Sequence, residues 1–258
     1  MFYLARATTA DPTGALARRR GMKHLFSLLL MFGCGLGHDL RPALEGSALQ
    51  PPAGEDAGDA GPEPARYLAL GDSYTIGESV AEAERWPVQL AARLGTAAPQ
   101  IIARTGWTVA ELDRGIDRVA PEGPYGLVTL LIGVNDQFRG GDAQGYRPAL
   151  RAMLQRAVGL AGGAPCRVVA LSIPDYGNTP FGRPRGASIG AAIDAFNTVG
   201  AEEAEAAGVA WVSVTEISRG PDPGLVARDG LHPSGAQYTR WAEAAVAPAR
   251  AALACAGP

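Results

Sequence analysis

Four short stretches of this chain carry side chains that can do chemistry together. Gly71-Asp72-Ser73 offers a hydroxyl, and Asp229-Gly230-Leu231-His232 offers an imidazole three residues after a carboxylate. Gly133-Val134-Asn135-Asp136 offers a side-chain amide, and Thr105-Gly106-Trp107-Thr108 offers a glycine N–H able to approach a ligand. A serine hydroxyl becomes a nucleophile when an imidazole takes its proton and a carboxylate on the other ring nitrogen fixes the tautomer. Residues three apart share one face of a helix or helical turn, so Asp229 can reach His232. An amide and a backbone N–H aimed at a developing oxyanion supply the third requirement of acyl transfer. Each stretch also has a plainer meaning. Taken alone, Ser73 reads more readily as a helix N-cap, Asp229 as a capping carboxylate beside a structural histidine, and the Gly, Asn and Asp residues as turn formers. Asp72 and Asp136 read as organisers of turns rather than catalysts. His232 carries extra weight because the other histidines, His24 and His38, both lie near the N-terminus.

The elements needed to bring these stretches together are legible as apolar runs alternating with helical patterns. Strands are expected at 67–70, 101–103, 127–132, 167–173 and 209–214. Helices are expected at 86–94, 109–119, 146–160, 189–207 and 234–253, the last with Ser234 as N-cap and a kink or break at Pro248. Strand–helix alternation implies parallel strands joined by right-handed crossovers. The expected fold class is α/β, a three-layer sandwich around a five-stranded parallel sheet. In such sheets ligands bind beyond the carboxyl ends of the strands. Ser73, Gly106 and Asn135 each follow a strand and His232 lies beyond the fifth, so one fold gathers all four stretches in one crevice. The loop 174–186, with Tyr176, Phe181, Arg183 and Arg185, reads as solvated, and its alternative reading is a loop that shapes the pocket and favours anionic or sugar substrates.

Composition narrows the function classes. A net charge of −3 and the lack of a basic, aromatic-interleaved stripe disfavour nucleic-acid binding. Cys34, Cys166 and Cys255 show no metal-ligand spacing, and a zinc site built on several histidines is excluded.

The N-terminal quarter reads as an address and a tether. The basic run 18–23 is followed by the apolar run 25–32, which is too short to span a bilayer and fits the core of a signal peptide. Cys34 follows directly and resembles a bacterial lipoprotein processing site, so residues 1–33 are expected to be a signal region and Cys34 the lipidated residue. Met22 opens a signal of usual shape and is the expected start of translation. Residues 34–64, rich in Pro, Gly and Ala, are expected to form a flexible tether, leaving 65–258 as the catalytic domain. The expected location is periplasmic or at the cell surface, lipid-anchored to a bacterial membrane. In that oxidising setting Cys166 and Cys255 can pair as a disulfide.

The chemical stretches resemble the conserved-order blocks of the GDSL/SGNH hydrolases. Tyr67 to Tyr74 looks like the block that supplies the serine, Gly106 matches the second-block glycine, and Gly133-Val134-Asn135-Asp136 matches Gly-x-Asn-Asp. Asp229-Gly230-Leu231-His232 matches the final Asp-x-x-His. The resemblance implies a flavodoxin-like fold with Ser73, His232 and Asp229 catalytic, and an oxyanion hole from Ser73, Gly106 and Asn135. It also implies a serine mechanism that uses no metal or other cofactor. The expected activity is hydrolysis of small-molecule esters with small or short acyl or acetyl groups, since no lid-like helix is evident. Two other readings keep the fold: an acyltransferase to a sugar or lipid hydroxyl, and a catalytically silent surface binding protein.

Overall fold

Strands that are apolar on both faces have one stable place, between two layers of helices. The computed structural model describes residues 64–256. Residues 1–33, Cys34 and the expected tether up to residue 63 lie outside the described residues. Within them, five strands form one parallel sheet in the order β2-β1-β3-β4-β5: β1 (Tyr67–Gly71), β2 (Gln100–Ala103), β3 (Leu127–Leu131), β4 (Val168–Leu171) and β5 (Ala210–Val212). Every residue of β1, β3 and β4 is buried. Register is continuous across the centre, with Ala69 opposite both Ile101 and Thr129.

The helices are α1 (Ser73–Ile76), α2 (Trp86–Leu94), α3 (Val109–Val119), α4 (Val134–Phe138), α5 (Ala143–Leu160), α6 (Gly186–Ala206), α7 (Thr215–Ser218) and α8 (Gly235–Leu253). The helix α2 packs on α8 in one layer, and α3, α5 and α6 pack side by side in the other. Buried Glu203 of α6 accepts from Arg147 at 3.0 Å and Arg151 at 2.8 Å, both on α5, which ties those two helices together.

The expected break at Pro248 does not occur, because α8 runs unbroken through it. An interior proline costs about 3 kcal/mol. Here Trp241, Ala242, Ala245, Ala249 and Ala252 are all buried along one face, and that burial outweighs the missing N–H. Cys166 lies just before β4 and Cys255 just after α8. They are joined in a disulfide with their Cα atoms 6.2 Å apart. Arg167 also donates to the Cys255 carbonyl at 3.3 Å, so the end of the last helix is fastened to the sheet.

The sheet order reverses direction between β1 and β3. The carboxyl ends of those two strands therefore flank the crevice in which open α/β sheets bind ligands.

Candidate active site

The chain leaves β1 at Gly71 and turns at once into α1. Asp72 is the N-cap, its Oδ1 accepting from the Tyr74 N–H at 3.0 Å. Ser73 is therefore not the capping residue. It occupies the first helical position, where its own N–H has no carbonyl within the helix to bond. Asp72 is fully buried, and burial pushes its carboxyl up to about 8. The Tyr74 N–H opposes that shift and nearby Asp136 adds to it.

The base is held by a tight loop before α8. Ala227 N–H donates to the His232 carbonyl at 2.7 Å, and Gly230 takes a φ of 73° in the turn between them. One oxygen of Asp229, Oδ1, accepts from the Leu231 and His232 N–H groups, both at 2.9 Å. The other, Oδ2, lies 2.6 Å from His232 Nδ1. It also accepts from the Ser79 hydroxyl at 2.6 Å. Burial pushes the Asp229 carboxyl up, but these four donors outweigh it and hold it well below the usual carboxylate range. Tyr74 packs edge-on to the imidazole, with ring centroids 5.7 Å apart.

Gly133 follows β3 with a φ of 123°, and a Cβ there would lie 2.6 Å from the Tyr146 hydroxyl. Only glycine fits, and the turn it permits starts α4 one residue before Asn135. The Asn135 amide donates to the Trp107 carbonyl at 3.0 Å and stands 3.5 Å from Asp72 Oδ2. Asp136 accepts from the Val109 N–H at 3.1 Å, anchoring the start of α3. Gly106 has a φ of 85°, and Arg139 donates to its carbonyl at 2.6 Å. With the carbonyl so held, the Gly106–Trp107 peptide plane is fixed. Thr105 donates to Glu78, joining this loop to the one that follows α1.

All four stretches meet in one cavity of about 140 Å³. Ser73, Gly106, Asn135 and His232 line it, together with Val134, Phe138, Tyr176, Phe181 and Leu231. The sequence names Tyr176 and Phe181 on a loop able to shape the pocket, the less favoured of its two readings, and carries no sign of Val134, Phe138 or Leu231 as lining. The loop 174–186 is not simply solvated: Tyr176 is buried and donates to Gln137 at 3.0 Å, and Tyr176 and Phe181 face the cavity. Their signal was two aromatic residues on a loop leaving the carboxyl end of β4, where a ligand is expected. Ser79 was missed too, and it had no sequence signal. Among the described residues no group of His, Cys, Asp and Glu side chains is arranged to hold a metal ion.

With this geometry in view, residues 69–240 match the sequence model of the GDSL-like Lipase/Acylhydrolase family. The chain belongs to that family. It is an enzyme of the GDSL esterase class, and its five-stranded α/β fold is that of the family. No curated protein matches it by sequence. Among solved structures it is similar to phospholipase A1 from Streptomyces albidoflavus NA297, at 19% identity and a TM-score of 0.57, covering 72% of this chain and 99% of that one. It is similar to an extracellular lipase from Streptomyces rimosus, at 21% identity and a TM-score of 0.53, covering 71% and 99%. An acetyl-xylooligosaccharide esterase from Geobacillus Stearmophilus aligns at 18% identity with a TM-score of 0.56, covering 72% and 94%. At these identities the three neighbours speak to the fold alone.

Proposed function

We propose that this GDSL enzyme hydrolyses small or short-chain carboxylic esters through an acyl-serine intermediate, with Ser73 as nucleophile. Ser73 Oγ attacks the ester carbonyl while His232 Nε2 takes its proton. Asp229 holds His232 in the tautomer that leaves Nε2 free, and balances the imidazolium that forms. The N–H groups of Ser73 and Gly106 and the Asn135 amide hold the oxyanion. Collapse expels the alcohol, which takes the proton from His232. Water, deprotonated by His232, then frees the acid. The observation that carries this reading is that one cavity is lined by Ser73, Gly106, Asn135 and His232 while His232 Nδ1 rests 2.6 Å from Asp229.

The cavity supports a short acyl part. Its volume of about 140 Å³ is below the roughly 300–1,000 Å³ of pockets that enclose drug-sized ligands. Val134, Phe138, Tyr176 and Phe181 make its wall apolar, which suits a short acyl chain. Rates on p-nitrophenyl esters of increasing chain length test this. Turnover is expected to be highest on the short esters and to fall as the chain outgrows the cavity, and a rate rising steadily toward long chains would contradict it.

We also propose export with a lipid anchor at Cys34. The basic and apolar runs before it support this, as does a disulfide of a kind that persists in oxidising compartments. Detergent-phase partitioning of the native protein, lost in Cys34→Ser, is the expected result. Aqueous partitioning of both would contradict it.

A further inference from the structure

The carboxylate that orients His232 is shared. Asp229 Oδ2 receives His232 Nδ1 and the Ser79 hydroxyl, each at 2.6 Å, and these two partners lie on different loops. Ser79 belongs to the loop that leaves α1, the helix opened by Ser73. Asp229 lies 150 residues further along the chain. The hydroxyl–carboxylate bond therefore straps the nucleophile's loop to the base's loop. Its neighbour Glu78 accepts from Thr105, so the same loop is tied to the Gly106 loop as well.

The backbone of Ser79 is consistent with a placed residue. Its φ is +67°, in the left-handed region, and among the described residues Ala120 is the other non-glycine there. Ala120 is a helix C-cap, a position where left-handed backbone is common. Ser79 is not: the C-cap of α1 is Gly77, at a φ of 71°. Two left-handed residues within three positions swing the chain so that residue 79 reaches Asp229. Serine in that conformation is held against its own steric preference, as residues at working sites often are.

Resting on the serine-hydrolase reading above, we propose that Ser79 is a positioning residue for the reaction, fixing the Asp229 carboxylate through Oδ2 and so setting the place of His232 relative to Ser73. It touches no substrate and acts through Asp229. The backbone N–H groups of Leu231 and His232 hold only the other oxygen, so without Ser79 the carboxylate keeps one anchor and loses its second. Around this pair the titratable groups are Asp229 itself, Glu78 beside Ser79, Tyr74 against the imidazole, and buried Tyr238 of α8, which lies within the field of Asp229 and Glu78.

The test compares Ser79→Gly with Ser79→Asn on p-nitrophenyl acetate. Both residues accept the left-handed backbone, so both are expected to fold. Glycine removes the donor and asparagine restores one. Ser79→Gly is expected to lose about tenfold or more in kcat with KM little changed. Its acid limb in the pH–rate profile is expected to move up, because a carboxylate with one donor fewer holds the imidazolium more tightly. Ser79→Asn is expected to recover part of both effects. Wild-type kcat and an unmoved acid limb in Ser79→Gly overturn the proposal, and so does an equal loss in the two variants. A folded Ser73→Ala that keeps wild-type turnover overturns instead the reading on which it rests, so the two failures are distinguishable.

Discussion

His232 Nδ1 lies 2.6 Å from Asp229 Oδ2, while both remaining lone-pair directions on Asp229 Oδ1 are taken by the backbone N–H groups of Leu231 and His232. The carboxylate is thus bound to the loop that it orients. Asp229→Asn should keep the loop, since an amide oxygen can still accept those N–H groups. Its NH₂ would then face Nδ1 and force the wrong imidazole tautomer. The expected result is a folded protein with kcat lowered by about 10³–10⁴, measured by steady-state hydrolysis of a short ester. A loss below tenfold would show that the carboxylate does not set the tautomer.

Asn135 is anchored on Trp107 by one N–H at 3.0 Å, and its longer contact of 3.5 Å to Asp72 Oδ2 is the one that an oxyanion beside it would replace. Asn135→Ala should therefore reduce kcat by about 10²–10³ with KM nearly constant, the pattern for a donor used in the transition state. An effect confined to KM would place the amide on ground-state substrate instead.

Asp72 gives a pH dependence of stability. Its folded-state carboxyl is raised to about 8 by burial, so the folded protein holds a proton that the unfolded chain has released. The stability linked to this group is full below the ordinary carboxylate range and is lost as pH rises through about 8. Urea midpoints measured at about pH 5 and about pH 9 should differ less in Asp72→Asn than in the wild type. Equal differences in the two proteins would contradict a buried, protonated Asp72.

The disulfide between Cys166 and Cys255 closes a separation of 89 residues, far from the cavity. The double variant Cys166→Ser, Cys255→Ser should lose about 2–5 kcal/mol of stability. Its turnover at room temperature should be unchanged. A thermal melt beside an activity assay checks both, and a stable but inactive variant would link this end of the sheet to catalysis.

Much of this site is legible in the sequence because it is built from local geometry. Gly-Asp-Ser at a strand end and Asp-x-x-His in a turn each fix their own short-range bonds, whereas Gly-x-Asn-Asp marks a turn whose side chains reach across to Trp107 and Val109. The short buried strands and the amphipathic helices bring them together. Helices α2 and α3 begin and end at the residues expected from their periodicity. What sequence does not carry is contact between distant loops. Ser79 has no motif, and its partner is 150 residues away. Tyr176 and Phe181 look like members of a polar loop until the fold turns them into the cavity. Pro248 fails as a helix breaker for the same reason, since its local cost is opposed by burial along α8 that only packing reveals.

The most direct test of the central claim is covalent trapping with a fluorophosphonate, read by peptide mass mapping. A single adduct is expected, on Ser73, absent in Ser73→Ala and formed much more slowly in His232→Ala. A wild-type enzyme that hydrolyses esters yet takes no label, or carries it on another residue, would contradict it.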